Sequence, residues 1–292
     1  MKKQFTLVFL IFICLNSFSQ EKVAYYPFNE NANDESGNGY NGEIFNSLPT
    51  EDRFNKSNSA FLFGNNKYIK VLNGNNMNVF TNSISISCWV KPIEQNGVNA
   101  ILAKWPVEQS KDHFGIWLSN MKPVLGIGHP SVSVPGITFN YTLESNEWYF
   151  LTFTWSTGIH KLYVNGVFIE EIDNQNYSKI SESSDAELFI GNDGQNRYFE
   201  GKIDEVAIFK NELTLSEVQN LYDTSLNINE NKLNDIKIMF LNGKIELSDK
   251  EYFLNIYDSL GKKIQNENLS KGLYILKISN GRNNLVKKLL LK

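Results

Sequence analysis

Ser83-Ile84-Ser85-Ile86-Ser87-Cys88-Trp89-Val90 is the stretch that decides the fold. Apolar and polar residues alternate with a period of two, as a half-buried strand requires. Ile84, Ile86, Cys88 and Val90 therefore share one face, and Trp89 points to the other. Downstream, Lys161-Leu162-Tyr163-Val164 and Val167-Phe168-Ile169-Glu170 flank Asn165-Gly166. That dipeptide tolerates the positive φ angles of a tight type I′ turn, so the segment reads as a hairpin. Turn dipeptides recur at Asn73-Gly74, Asn96-Gly97, Asp193-Gly194, Asn242-Gly243 and Asn280-Gly281. One helix is expected, from Thr214 to Tyr222. Thr214 and Glu217 form a Thr-x-x-Glu capping box, and Leu215, Val218, Leu221 and Tyr222 fall on one face. Many strands with one short helix define an all-β chain built as a sandwich.

The composition agrees. Of 292 residues, 41% are hydrophobic and 13% aromatic, enough to bury a core and to exclude wholesale disorder. The formal charge of −4 provides no basic face, so nucleic acid is not an expected partner. Residues 1–20 read as a secretory signal peptide. Lys2 and Lys3 form its positive end, an apolar run extends from Phe5 to Leu15, and Asn16 to Gln20 form the cleavage region. No comparable apolar stretch follows, so no transmembrane segment is expected in the mature chain. Cys14 lies in the signal, which leaves Cys88 alone; no internal disulfide is expected, and Cys88 reads as a small buried hydrophobe.

Charge divides the mature chain. Residues 21–225 carry 14 Lys+Arg against 25 Asp+Glu, a net of −11, whereas residues 226–292 carry 12 against 7, a net of +5. The polar stretch at 226–235 is the expected linker between a first domain, 21–225, and a second, 236–292.

Four ordered stretches carry a family resemblance. They are Tyr25-Tyr26-Pro27-Phe28 with Asn33-Asp34-Glu35-Ser36-Gly37-Asn38-Gly39; Ala60-Phe61-Leu62-Phe63-Gly64 with Tyr68-Ile69-Lys70-Val71; Ile84 to Pro92; and Phe189-Ile190-Gly191 with Gly201-Lys202-Ile203-Asp204-Glu205-Val206-Ala207-Ile208-Phe209. Together they resemble the laminin-G-like members of the concanavalin A-like lectin/glucanase superfamily. The resemblance implies a jelly-roll of two antiparallel sheets. At the other end stand Phe253-Leu254-Asn255-Ile256-Tyr257-Asp258-Ser259-Leu260-Gly261, Gly272-Leu273-Tyr274-Ile275-Leu276-Lys277-Ile278 and Val286 to Lys292. They resemble the C-terminal sorting domain of the Bacteroidetes type IX secretion system, although the usual Asn-Pro start is missing. This resemblance implies a small immunoglobulin-like sandwich at 236–292 that engages the type IX machinery. The protein is then released or held at the outer cell surface.

The chemistry is sparse. Glucanases of this fold carry a Glu-x-Asp-x-Glu strand, and the nearest match here is Glu171-Ile172-Asp173-Asn174-Gln175. Gln175 stands where the second acid is needed, and an amide cannot shuttle that proton. His113, His129 and His160 show no zinc-type spacing, and there is no Gly-x-Ser-x-Gly elbow. By resemblance to calcium-binding relatives, Asp204 would hold a structural calcium ion with carbonyls of the N-terminal segment, and Asp34, in the Asn33 to Asn38 turn, is a candidate second donor, since calcium takes six to eight oxygens. The competing reading is an Asx-turn at Asp34 and a pairing of Asp204 with a lysine or a backbone amide. Sugar binding needs aromatic platforms with directional hydrogen-bonding groups beside them. Trp105 and His113 in one polar loop, and Asn192, Asp193, Arg197 and Tyr198 in another, are the candidates. Trp148 and Trp155 read as buried. Trp89 either lines the open face of its sheet or lies beneath a covering loop. The expected function is non-catalytic recognition of a glycan or surface protein. The alternatives are a glycoside hydrolase or polysaccharide lyase of the same fold, and a purely structural surface protein.

Overall fold

The computed structural model describes residues 21–94, 96–104, 114–128, 136–174, 180, 186–226, 237–241, 243–248, 253–258, 261–279 and 284–291. The signal peptide and nearly all of the expected linker lie outside them. The chain forms two compact units, residues 1–215 and 216–292.

The first unit contains β1 (Lys22–Tyr26), β2 (Gly42–Phe45), β3 (Leu48–Thr50), β4 (Ala60–Phe63), β5 (Tyr68–Val71), β6 (Ser83–Pro92), β7 (Val98–Lys104) and β8 (Phe114–Ser119). It continues with β9 (Lys122–Ile127), β10 (Ile137–Thr138), β11 (Tyr149–Ser156), β12 (Ile159–Val164), β13 (Val167–Asp173), β14 (Leu188–Ile190) and β15 (Gly201–Phe209). An eight-stranded sheet has the order β13-β12-β11-β6-β15-β4-β3, with β1 also paired to β15. A seven-stranded sheet has the order β10-β9-β8-β7-β14-β5-β2. All of these pairings are antiparallel.

The alternation read from β6 holds. Ile84, Ile86, Cys88 and Val90 enter one core with Leu151, Phe153 and Trp155 of β11, and with Phe114, Ile116 and Leu118 of β8. The Asn165-Gly166 hairpin forms with φ of 52° and 76°, as a type I′ turn demands. Two interruptions of the alternation alter the outer faces of the sheets. A register shift between Ala100 and Leu102 turns both Ile101 and Leu102 into the core, leaving Ala100 and Ala103 on the outer face. A second shift, between Asp204 and Ala207, places Glu205 at φ 47°. Such bulges re-aim side chains that strict alternation would send to opposite faces.

The helix α1 (Leu215–Leu226) starts where the capping box predicts and runs one turn beyond Tyr222. Leu215 is exposed rather than on the buried stripe, which centres on Val218. In the second unit, the hairpin β16 (Ile238–Leu241) and β17 (Lys244–Leu247) accompanies a four-stranded sheet. That sheet is built from β18 (Phe253–Tyr257), β19 (Lys263–Ile264), β20 (Gly272–Ser279) and β21 (Asn284–Leu291), in the order β19-β18-β20-β21. Ile245, Ile256, Tyr274 and Leu276 form its core, with Ile238, Leu254 and Leu289 packed against them. This is the small sandwich expected of the tail.

Candidate functional site

The outer face of the seven-stranded sheet carries a small cavity of about 30 Å³, lined by Val98, Ala100, Ala103, Trp117, Asp193 and Arg197. Its floor follows from the bulge in β7: two alanines, each 2% exposed, lie where larger side chains would fill the space. Trp117 pairs with Ala100 on one side and Val124 on the other. Because Phe114, Ile116 and Leu118 take the core face of β8, parity sends the indole outward. Gly136 backs the ring so closely that a Cβ there would sit 2.3 Å from its Cζ2.

The opposite wall is the loop after β14. Gly191 N donates to Ile101 O at 2.7 Å, and a bridge joins Tyr198 to Ala100, so both ends of the loop are fastened to β7. Gly191 is required at its position, since its φ is 78° and a Cβ would lie 2.1 Å from the Phe63 ring. Inside the loop, Asn192 Oδ1 accepts from Gly194 N at 2.6 Å. Asp193 Oδ1 accepts from Gln195 N at 2.8 Å and Arg197 N at 3.2 Å, and its Oδ2 pairs with Arg197 Nε. Asn192 and Asp193 are each 4% exposed, while the Arg197 side chain is 44% exposed. Tyr198 OH lies 3.2 Å from Asn66 Oδ1 and from Asn196 Oδ1. Beyond the loop the same sheet face carries an aromatic ladder. Phe189 meets Tyr68 edge-on at 5.8 Å, and Tyr68 stacks on Phe45 at 4.8 Å.

Of the sequence-predicted sugar contacts, Asp193 and Arg197 therefore line the cavity. Asn192 and Tyr198 instead build the loop that presents them. Trp105 and His113 lie outside the described residues. The sequence reading missed Trp117; its signal was the outward parity beside Ile116.

The predicted metal residues have other partners. Asp34 forms the Asx-turn, accepting from Tyr25 N at 3.0 Å, Ser36 N at 2.9 Å and Tyr40 N at 3.0 Å. Asp204 lies on the outer face of the eight-stranded sheet. Its Oδ1 accepts from Glu205 N at 2.8 Å, and its Oδ2 from Arg53 Nη1 at 2.8 Å. Arg53 Nη2 reaches Glu205 Oε1 at 2.9 Å. The guanidinium carbon is 4.6 Å from the centre of the Phe54 ring and 4.5 Å from that of Trp89. Trp89 is thus the covered tryptophan of the two possibilities. Burial, followed by mutual repulsion, pushes the Asp204 carboxyl above its ordinary range; burial does the same at Glu205. With both carboxylates taken up by the guanidinium and the Phe54 and Trp89 rings beside it, the centre does not present the six to eight oxygens that calcium needs. Among the described residues, no three His, Cys, Asp or Glu side chains cluster as metal ligands.

A jelly-roll with an aromatic-and-charge-lined cavity on one sheet defines a lectin-like β-sandwich. Residues 63–219 match the concanavalin A-like lectin/glucanases superfamily, and the chain belongs to it. Residues 222–292 match the secretion system C-terminal sorting domain, that of type IX export, which marks the protein for the cell surface or secretion. No curated protein matches the chain. Among solved structures, the chain is similar to domain 4 of AbnA, an extracellular arabinanase from Geobacillus stearothermophilus solved with arabinotriose. The two are 24% identical over 70% of this chain and 98% of that one, with a TM-score of 0.54. It is also similar to the ligand binding domain of botulinum neurotoxin serotype D, solved with N-acetylneuraminic acid, at 18% identity, 91% and 72% coverage and a TM-score of 0.55. The binding domain of botulinum neurotoxin DC, solved with rat synaptotagmin II, matches at 16% identity, 91% and 73% coverage and a TM-score of 0.54. At these identities the likeness is one of fold. No helix among the described residues is long and apolar enough to cross a membrane.

Proposed function

We propose that the first unit is a non-catalytic module that binds a glycan in the cavity between Trp117 and the 192–198 loop, on a protein exported through its C-terminal sorting domain. One observation carries this reading: an outward indole shares a side-chain-poor cavity with the Asp193–Arg197 pair. An indole offers its face to the C–H side of a sugar ring. A carboxylate and a guanidinium supply the strong, directional hydrogen bonds that hydroxyls need. The cavity is far smaller than a pocket that encloses a ligand, so it would receive one edge of a sugar ring lying across the sheet face. Glycan-bound neighbours of the same fold support the class of ligand.

Hydrolysis needs two carboxyl groups about 5–10 Å apart across the scissile bond. Asp193 is the one carboxylate among the described lining residues, and it is tied to Arg197 and two backbone N–H groups. Glu171 lies on the edge strand β13, beside Lys161 at 3.5 Å. Asp204 and Glu205 are sealed under Arg53. The reading is tested by incubating the chain with β-glucans, arabinan and alginate, and assaying reducing ends and unsaturated products. Binding without turnover is the expected result, and cleavage at an ordinary enzymatic rate overturns it.

A further inference from the structure

Arg53 sits at the tip of a loop shaped to deliver it. Between β3 and β4, Asp52 Oδ1 accepts from Phe54 N at 2.7 Å and from Lys56 N at 2.9 Å, folding residues 52–56 into a closed turn. Asn55 takes φ 60° within that turn. The Arg53 side chain is thereby pressed onto the eight-stranded sheet, where only 4% of it remains exposed. The sheet is shaped to meet it. Consecutive strand residues normally point to opposite faces, yet Asp204 and Glu205 both reach the same guanidinium. The bulge makes this possible by holding Glu205 in a left-handed conformation. A non-glycine residue at that φ is strained and persists only where its surroundings compensate.

The centre therefore has two adjacent carboxylates, 2% and 12% exposed, and a cation delivered from 151 residues away in sequence. The Phe54 and Trp89 rings complete it, and aromatic faces suit a weakly hydrated, planar guanidinium. They offer no oxygen to a divalent ion. We infer that Arg53 is a built-in cation, occupying beside Asp204 the place where calcium is expected by resemblance, so that this sandwich keeps its shape without a divalent ion. A cation attached to the chain cannot dissociate, and export into surroundings of any calcium content leaves the centre intact. The inference is independent of what the Trp117 cavity binds.

The test is the melting temperature of the full exported chain in millimolar calcium chloride and in excess EDTA. The wild type melts at the same temperature in both. Arg53→Ser melts lower by roughly 10 °C in EDTA, because it strips two buried carboxylates of their guanidinium. Calcium recovers part of that loss, and adding Asp204→Asn and Glu205→Gln abolishes the recovery. Arg53→Lys keeps the charge without the fork, folds, melts below the wild type and remains indifferent to calcium. A calcium-dependent rise in the wild type that disappears in Asp204→Asn overturns the inference. So does an Arg53→Ser chain that melts like the wild type or gains nothing from calcium.

Discussion

Two arginine–aspartate pairs, each sharing its site with a tryptophan, lie on the outer faces of the two sheets, and they differ in access to water. At Arg53–Asp204 both side chains are at most 4% exposed, and the Trp89 ring is covered. At Arg197–Asp193 the carboxylate is buried, but the guanidinium is 44% exposed beside a cavity. Each site is assembled in the same way, from a bulge in a central strand and a loop closed by an aspartate acting on backbone N–H groups. The difference is that one construction is closed to water and the other is open to it. Sealed, the charges face one another away from water and act as a rivet. Opened, the same chemistry retains hydrogen-bonding capacity for a ligand.

Substitution of the two arginines breaks or sharpens that contrast most strongly. Arg53→Ala should cost about 3–5 kcal/mol in denaturant unfolding of the first unit, the usual penalty for orphaning buried charge. Arg197→Ala should cost less, about 1 kcal/mol, because the guanidinium is 44% exposed and Asp193 keeps the backbone N–H donors of residues 195 and 197; equal losses would erase the distinction. Next in size is Gly191→Ala, which should destabilise by about 2–3 kcal/mol through the clash with Phe63 and the positive φ. It should also weaken glycan binding, because the loop's fastening to β7 moves with it. Trp117→Ala should lower glycan affinity at least about tenfold, or ~1.4 kcal/mol, with a stability change of about 1 kcal/mol. The smallest effect is one of pH. Burial lowers the pKa of His160 from its ordinary 6.5. The folded state therefore disfavours the charged ring, and stability present above about 6.5 is lost as pH falls through the lowered value. His160→Gln should flatten that part of the pH–stability curve and leave glycan binding unchanged.

Local pattern made much of the fold legible. The β6 alternation and the Asn165-Gly166 turn report on neighbours one or two residues away, and both stand. Turns at Asn120-Met121 and Thr157-Gly158 were not readable, because Met and Thr seldom take positive φ, yet Met121 has φ 64° and Thr157 φ 46°. The helix outran its expected end through Asp223-Thr224-Ser225, poor helix formers; Ser225 Oγ donates back to Tyr222 O at 2.7 Å. The site was half legible. Asp193 and Arg197 stand four residues apart in a loop whose composition advertises it. Trp117 hides in an otherwise core-like strand, and only its parity against Ile116 gives it away. Arg53 had no local signal, since its partners are 151 and 152 residues distant. The partners' own bulge was readable, however: Ile203 and Val206 both enter the core at a spacing of three, where an unbroken strand allows only even spacings.

A glycan array probed with the wild-type chain and with Trp117→Ala, alongside melting curves for both, separates a glycan-binding Trp117 face from an inert one. The wild type is expected to retain at least one class of glycan, and Trp117→Ala to lose it while melting close to the wild type. Glycan retention that is indifferent to Trp117, or a wild type that retains no glycan at all, would contradict the proposed function.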